Sequence, residues 1–500
     1  MRRLIRSTAL LGLGSVATVV AAILRAKVLA ALLGPQGTGL LAQLSTLTAV
    51  LVPLATLGMG NGITAMIAEA RGRGDAFLVR RVRTTALTLS GLTGLTLALL
   101  AALASPWLAD ALYHDRAWTW VVLAGAATVP LSAIASLRVS ILQGHQAVKP
   151  MAALNAVVAA AGIATIIPLA WFFGLRGAVA QLVVVAGVYA WASGRMVARH
   201  AGVPGGEEAA AGAVPAPRRA LIDRPLVRPL LRYGSSALLV GLAATLTVLI
   251  LRSVLVSKLG LGPNGIYQVC IGISGLYMPL ILNSITAIVW PQIAAQRSDE
   301  ETSATMREAL RLGVLLMTAV TGAMLAGAPI WIPLFYSKKF LPALDLLPVQ
   351  FLGDYFRTVA WFCAIWLVPK NRLRPWVLFD VVYGAVMLVT FTLLVDRVGL
   401  KSAVIAYVAG HVSHAVLNYA LARKTLRFRF GPDNRRLLFA SLALLLGLSI
   451  WTPRGIPGVA LALAALASWA GLVVRPHEWR TAWRRAGGLL SRPAREAGNS

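Results

Sequence analysis

The chain has 500 residues, of which 58% are hydrophobic and only 13% charged, and its mean hydropathy is +0.74. A soluble protein carries about twice that charged fraction, so the composition argues against a soluble enzyme or binding domain. Cys270 and Cys363 both fall inside apolar segments, which argues against a disulfide framework and against a cysteine metal site.

Apolar blocks of roughly 20–28 residues, the length that crosses the hydrocarbon layer as a helix, recur along the chain. We therefore predict an all-α polytopic membrane protein with about 14 transmembrane helices. The first block extends to about Leu33, which is too long for a signal peptide and indicates a retained signal-anchor helix. The predicted spans lie near 7–33, 39–68, 84–104, 118–143, 151–173, 177–198, 231–258, 265–294, 309–334, 345–369, 375–395, 402–422, 437–451 and 456–474.

The basic residues alternate between the two sides of this layout. With the N-terminus inside, the external loops hold few of the 47 Lys and Arg residues, namely Arg116, Arg176, Lys258, Lys338, Lys339, Arg397, Lys401 and Arg454. This asymmetry follows the positive-inside rule and predicts that both termini are cytoplasmic. The net charge of +29 therefore indicates topology and contact with membrane lipids, and we expect no nucleic-acid partner.

The two halves of the chain resemble each other. "LIRSTALLGLGSV…LRAKVLAALLGPQGTG" is echoed by "LLRYGSSALLVGL…LRSVLVSKLGLGPNG", and each stretch carries a late "LR" and ends in G-P-x-G. Because the halves hold six and eight spans, they repeat in parallel, which predicts two pseudo-symmetric lobes around a central cationic cavity. The predicted units are an N-lobe at 1–198, a cytoplasmic linker at 199–230, a C-lobe at 231–424, a helix pair at 425–475 and a basic cytoplasmic tail at 476–500.

Two cations interrupt the first span. Thr8, Ser15, Thr18 and Arg25 are spaced seven, three and seven residues apart, so they share one helical face and point to Arg25 as the residue that faces the cavity. Lys27 lies on a different face and can extend toward the external interface. The alternative is that Arg25 also snorkels or pairs with a neighbouring helix for structure alone.

Arg252 occupies the place in the second half that Arg25 occupies in the first. Two pseudo-symmetric guanidinium groups that face one cavity suit a diphosphate, which they bind through bidentate hydrogen bonds. We therefore predict that Arg25 and Arg252 bind the substrate.

The tenth span carries a polar face. Gln350, Asp354, Arg357 and Trp361 recur at spacings of four, three and four, and Asp354 can form an ion pair with Arg357. A carboxylate deep in a span is a candidate for proton or ion coupling, so we assign Asp354 to coupling or gating and Arg357 to the cavity. The alternative is a static pair that fixes helix packing.

Motifs of catalysis are largely missing. The chain has no G-x-x-x-x-G-K-[ST] phosphate loop, no H-E-x-x-H and no G-x-S-x-G. Asp110 and Asp115 lie in an external loop that could serve a membrane glycosyltransferase, but the external loops are otherwise short. His411 and His414 alone are a poor metal site. We expect neither catalysis nor a bound metal or cofactor.

Several stretches resemble a known family. "LAALLGPQGTGLLAQL", "LGMGNGITAMIAEARGRGD" and "LFYSKKFLPALDLLPVQFLGDYF" are similar to segments of Wzx-type lipid-linked oligosaccharide flippases. These belong to the polysaccharide transporter branch of the multidrug/oligosaccharidyl-lipid/polysaccharide exporter superfamily. By position, Asn61 in "NGIT" and Asp354 in "GD" match family motifs, and Lys27 falls where such flippases can carry a basic residue. The resemblance therefore adds Asn61 and Lys27 to the candidate substrate-binding residues.

The resemblance implies a bacterial inner-membrane flippase. It would move an undecaprenyl-diphosphate-linked oligosaccharide, such as an O-antigen unit, from the inner to the outer leaflet by alternating access, with H⁺ or Na⁺ as a coupling ion. Besides this glycolipid, the expected partners are membrane lipids and the polysaccharide polymerase and chain-length machinery, and the chain is expected to act as a monomer. A lipid II flippase, which also has fourteen spans, and an ion-coupled multidrug exporter are the alternatives.

Overall fold

The computed structural model describes residues 2–200, 221–450 and 455–475, and within these ranges it contains helices and no strands. A bilayer offers no water to unpaired backbone groups, so helices satisfy their own amides as they cross it. The helices are α1 (Arg2–Ala55), α2 (Gly60–Gly72), α3 (Ala76–Leu103), α4 (Ser105–Tyr113), α5 (Thr119–Gly144), α6 (Val148–His200), α7 (Arg224–Leu259), α8 (Leu261–Ala295), α9 (Asp299–Phe335), α10 (Leu347–Ala364), α11 (Leu373–Val398), α12 (Lys401–Leu426), α13 (Pro432–Ile450) and α14 (Gly455–Val473). Short 3₁₀ helices occupy Arg116–Trp118 and Lys338–Asp345.

Glycines divide the two longest helices. Gly34 in α1 and Gly174 in α6 have positive φ angles of 63° and 54°, a conformation that residues with a side chain rarely adopt. A Cβ atom on Gly177 would lie 1.7 Å from the carbonyl oxygen of Leu169, so the chain folds back on itself at Gly174. Each of these helices therefore contributes two of the predicted spans.

Within the described ranges, nine helices are long and apolar enough to cross a membrane. Division of α1 and α6 at their glycines, together with the shorter α10, α13 and α14, provides a helix for each predicted span. The prediction of an all-α polytopic protein with about fourteen spans is confirmed. The second span differs from its prediction, because the helix stops at Ala55 and resumes at Gly60 after Gly58, whose φ is 67°.

The helices pack into two lobes. In the N-lobe α1, α3, α5 and α6 surround apolar cores, and in the C-lobe α8 to α12 surround a larger one. The pair α13–α14 packs on α9 and α10, where Trp469 Nε1 donates to Ser441 Oγ at 3.1 Å and Arg311 donates to the Val473 carbonyl at 2.8 Å. The pair therefore extends the core of the C-lobe. The predicted basic tail at 476–500 and residues 201–220 of the predicted linker lie outside the described residues.

One helix belongs to both lobes. α7 begins at Arg224 rather than near 231, and the side chains of Leu226 and Leu230 in its first turns are buried in an N-lobe core. Leu251 and Leu255 near its other end are buried in the C-lobe core. The boundary between the lobes therefore runs along a helix.

The lobes are in close contact where the two G-P-x-G segments meet. A Cβ atom on Gly39 would lie 2.0 Å from the Leu261 carbonyl oxygen, and one on Gly265 would lie 1.9 Å from that of Pro35. Real Cβ atoms do not approach so closely, so α1 and α8 are in backbone contact here. By the predicted topology this contact lies at the external end of both lobes.

Candidate functional site

A cavity of about 520 Å³ lies between the lobes. Its walls come from both halves of α1, from the middle of α7 and from α8, with Tyr336 at the end of α9. Arg25 and Arg252 both line it, and none of the described residues around it is acidic. The structure therefore brings together the two arginines that the internal repeat pairs, and the cavity between them carries positive charge.

Arg252 is held firmly in the wall. Its side chain is 1% exposed, and its guanidinium group donates to Asn264 Oδ1 at 2.8 Å and to Gln268 Oε1. Asn264 Nδ2 in turn donates to the Gly39 carbonyl at 2.8 Å. Because amide oxygens carry no formal charge, these bonds orient Arg252 while leaving its positive charge uncompensated.

Arg25 is less constrained. It is half-buried in the cavity wall and makes no hydrogen bond or ion pair with any part of the chain that the structure describes. The Thr38 hydroxyl, which lines the same cavity, is also buried without a partner there. Buried polar atoms without partners are uncommon, and here they surround the space that a polar ligand would occupy. The side chains of Thr8, Ser15 and Thr18, which predicted this face, lie outside the described residues.

Lys27 has a different environment. Its Nζ donates to the carbonyl oxygen of Pro333 in α9 at 2.9 Å, and the residue is absent from the described lining of the cavity. The Pro333 carbonyl is available as an acceptor because α9 ends at Phe335, and the last four carbonyl groups of a helix have no intrahelical partner. The structure therefore places Lys27 at a contact between the lobes rather than beside Arg25.

Asn61 is also away from the arginines. It is exposed on the first turn of α2, next to Gly62, where a Cβ atom would lie 2.6 Å from the Leu230 carbonyl oxygen. This is the region where α2 packs on the start of α7. Gly62 of the "NGIT" segment thus lies at a close contact between α2 and the start of α7, whereas Asn61 itself does not line the cavity of Arg25 and Arg252 in the described residues.

Asp354 is fully buried in the C-lobe and accepts hydrogen bonds from three hydroxyl groups. Ser274 Oγ donates at 2.6 Å, Tyr407 Oη donates at 2.8 Å, and Tyr277 Oη donates as well. Arg357 does not pair with Asp354 directly among the described ion pairs; it donates to the Tyr407 hydroxyl at 3.3 Å. The predicted i,i+3 ion pair is therefore wrong in detail, because Tyr407 stands between the two charges.

A second cavity of about 380 Å³ lies inside the C-lobe. Gln350, Arg357 and Trp361 line it, as their shared helical face predicts, whereas Asp354 lies behind the wall. Ala244, Val248 and Ile271 line both cavities, so the two spaces adjoin. Asp380 and His414, whose Oδ1 and Nε2 atoms are 3.9 Å apart, also line the second cavity.

Four residues outside the predicted site, Trp290, Trp376, Tyr383 and His411, also line this second cavity. They come from three helices, α8, α11 and α12, so no local spacing connects them. In the sequence, the clustering of tryptophans in spans of the second half could have indicated this cavity. In the loop that follows α4, Asp115 accepts from the Ala117 amide at 2.8 Å and caps the following 3₁₀ helix, which gives it a structural role.

Comparison with known proteins adds independent information. Residues 4–295 match the family described as polysaccharide biosynthesis protein. The chain is 24% identical over 398 residues to the lipid III flippase of Escherichia coli (strain K12), an alignment that covers 78% of this chain and 91% of that protein.

Solved structures share the fold. The lipid II flippase MurJ in an inward closed conformation superposes with a TM-score of 0.70 at 10% identity and covers 93% of this chain and 98% of its own. An inward-facing multidrug resistance transporter of the MATE family superposes with a TM-score of 0.67 at 15% identity, covering 83% and 94% respectively. At these identities the likeness concerns the two-lobe fold alone.

Proposed function

Because the chain belongs to the polysaccharide biosynthesis protein family, we propose that it is a flippase for a lipid-linked oligosaccharide. Membership of the exporter superfamily, expected from sequence motifs, is confirmed by the family match and by the shared two-lobe fold. The proposed substrate is an undecaprenyl-diphosphate-linked glycan such as an O-antigen unit. The proposed direction is from the inner to the outer leaflet of the bacterial cytoplasmic membrane, by alternating access.

The observation that carries this proposal is the pair of arginines in one cavity between the lobes. Arg252 is fixed by Asn264 and Gln268, and Arg25 has no protein partner in the described residues, so together they offer a rigid and an adaptable cation to one anion. Guanidinium groups bind phosphate oxygens through paired hydrogen bonds. A diphosphate between lipid and glycan has the charge and size for this position.

The composition of the cavity argues against the multidrug exporter. Cationic drugs require carboxylates in the binding site, and the described lining between the lobes holds only basic charges. The short external segments argue against a glycosyltransferase, whose sugar-transfer site needs room outside the membrane. We therefore propose transport without catalysis, with both termini in the cytoplasm as the alternation of Lys and Arg indicates.

The proposal is tested by complementation of a strain that lacks its glycolipid flippase, with surface glycan as the readout. We expect wild type to restore export and Arg25→Ala and Arg252→Ala each to lower it at least tenfold, since a hydrogen bond to a charged group contributes about 1.5–3 kcal/mol. Arg397→Ala, which changes an exposed arginine outside the cavity, serves as the matched control. Normal export by both cavity variants at equal protein levels would refute the proposal.

A parallel arm separates the two glycolipid functions. The same genes are introduced into a strain depleted of its lipid II flippase. Growth restored there, with no recovery of surface polysaccharide in the first strain, would assign the chain to lipid II instead.

A further inference from the structure

The cavity inside the C-lobe has the chemistry of a sugar pocket. Its described lining includes the indole rings of Trp290, Trp361 and Trp376 together with a few polar groups. A pyranose ring has an apolar face of C–H groups and a rim of hydroxyls, so aromatic planes and scattered hydrogen-bonding atoms complement it. The volume of about 380 Å³ falls within the range of roughly 300–1,000 Å³ that small-ligand sites occupy.

Several buried polar atoms of this pocket have no partner in the described part of the chain. They are Gln350 Oε1, Trp290 Nε1 and both ring nitrogens of His411, and the side chains of Gln350 and His411 are only 1% and 5% exposed. A buried polar atom without a hydrogen bond costs about 1–3 kcal/mol, so a cluster of them around one cavity points to a polar ligand.

The hydrogen-bond network behind the pocket fixes what Gln350 can offer. Ser274 Oγ donates to Asp354, so it must accept the 3.2 Å bond from Gln350 Nε2. One of the two N–H groups of Gln350 is thereby used, and its oxygen is left as an acceptor without a partner in the described residues. The indole of Trp290 can only donate. The pocket therefore presents one acceptor oxygen and one donor N–H that have no partner in the described residues.

The aromatic walls are held in place. Trp361 Nε1 donates to Thr286 Oγ1 at 3.0 Å, which fixes the plane of its ring. His411 stacks on Tyr383 at 4.5 Å between ring centroids and meets the edge of Tyr407 at 4.4 Å. A preformed wall lowers the conformational entropy that the protein loses when a ligand binds.

The position of the pocket relates it to the arginines. Arg252 lies beside Tyr267, with its Cζ 5.6 Å from the ring centroid, and Tyr267 lines the pocket. The pocket also adjoins the cavity of Arg25 and Arg252 through shared wall residues. A group attached to a diphosphate held by the arginines would therefore lie next to this pocket. Since one acid, Asp380, and one base, Arg357, both line the pocket, its charges favour a neutral group.

We propose that this pocket is a subsite for the sugar attached to the diphosphate, with Gln350 and Trp290 as the residues that recognise its polar substituents. The inference rests on the proposed function, because it takes the diphosphate position from Arg25 and Arg252. It assigns to the C-lobe the selection of the first sugar, and to the cavity between the lobes the recognition of the diphosphate that all such glycolipids share.

The test uses the purified full chain in detergent and two kinds of probe. One is farnesyl diphosphate, which has no sugar, and the other is a panel of farnesyl diphosphates that carry glucose, galactose, N-acetylglucosamine or N-acetylgalactosamine. We expect at least one sugar-bearing probe to bind wild type more tightly than farnesyl diphosphate does. Trp290→Phe and Gln350→Leu are expected to weaken that probe about three- to tenfold, the effect of one lost hydrogen bond, and to leave farnesyl diphosphate unchanged.

Trp366→Phe is the matched control. Trp366 is a buried tryptophan of the same lobe whose Nε1 also has no partner in the described residues, but it does not line the pocket. Trp290→Phe preserves the packing of an aromatic ring, so it keeps the test valid if Gln350→Leu fails to fold.

The outcomes separate the two proposals. If no sugar improves binding to wild type, or if Trp290→Phe weakens both kinds of probe alike, the sugar subsite is wrong while diphosphate binding stands. If farnesyl diphosphate itself does not bind, or binds equally well to Arg25→Ala and Arg252→Ala, the proposed function fails first. The subsite is supported if Trp290→Phe no longer binds the sugar-bearing probe more tightly than farnesyl diphosphate, while Trp366→Phe still does.

Discussion

Gly39 of the N-lobe and Gly265 of the C-lobe lie at a contact so close that neither position has room for a side chain. Gly265 ends one G-P-x-G segment of the internal repeat, and Gly39 lies two residues after the other. These two glycines thus allow the lobes to touch backbone to backbone, close to the arginines that line the cavity.

This contact predicts a steric effect of alanine. Gly39→Ala and Gly265→Ala should each lower the melting temperature of the purified protein, because an inserted methyl group in a packed interface costs typically about 1–3 kcal/mol. Gly241→Ala in α7 is the control, since a Cβ atom there would meet no neighbour within 4 Å. Equal melting temperatures for all three variants would contradict the close contact.

The two arginines should differ in their tolerance of lysine. The two terminal nitrogens of the Arg252 guanidinium group donate to Asn264 and Gln268. A lysine ammonium group cannot make both bonds with the same geometry. Arg25 has no such partners in the described residues. We expect Arg25→Lys to keep more transport than Arg252→Lys in the complementation assay. The reverse order would show that Arg25 is the geometrically demanding residue.

Lys27 is expected to affect stability more than substrate binding. Its replacement by methionine removes the 2.9 Å hydrogen bond to Pro333 that joins α1 to α9. Bonds from charged donors contribute about 1.5–3 kcal/mol, so Lys27→Met should lower the melting temperature. Farnesyl diphosphate should still bind with its wild-type affinity. Lys401→Met, at an exposed position, controls for the loss of a positive charge.

The role of Asp354 in coupling is a prediction, and its three hydroxyl partners suggest variants that test it. Asp354→Asn keeps the size of the side chain but removes one of the two acceptor oxygens on which Ser274, Tyr277 and Tyr407 converge. If Asp354 couples transport to an ion, the variant should lose the dependence of transport on the H⁺ or Na⁺ gradient. Tyr407→Phe removes one donor without changing the carboxylate, so it should keep that dependence. Gradient dependence retained in Asp354→Asn would leave Asp354 as a packing residue.

The orientation of the chain in the membrane can be tested with introduced cysteines. Cys270 and Cys363 are buried, so their background labelling by a membrane-impermeant maleimide should be low. In intact spheroplasts we expect Arg116→Cys to be labelled and Glu300→Cys to be labelled only after the membrane is opened, because both positions are exposed and lie on opposite predicted sides. The opposite pattern would invert the topology.

The sequence predicted the features that depend on local spacing. Helix positions follow from apolar length, and the pairing of Arg25 with Arg252 follows from the internal repeat, so both could be found in advance. The partner of Lys27 is 306 residues away in the chain, and Tyr407 is 50 residues from Arg357, so neither contact has a local signature. The tryptophan-lined cavity likewise depends on how α8, α10 and α11 converge, which is a property of tertiary packing.

The sharing of α7 between the two cores has a mechanical consequence. If the lobes separate at the cytoplasmic end, α7 must either bend or withdraw Leu226 and Leu230 from the N-lobe, and full exposure of one leucine costs about 1.5–3 kcal/mol. Bending is the less expensive deformation where glycine interrupts the helix, and α7 contains Gly234, in contact with Gly58, and Gly241, which has open space around it. If transport proceeds by the proposed alternating access, the bending stiffness of α7, which is anchored in both cores, would limit how far the lobes separate.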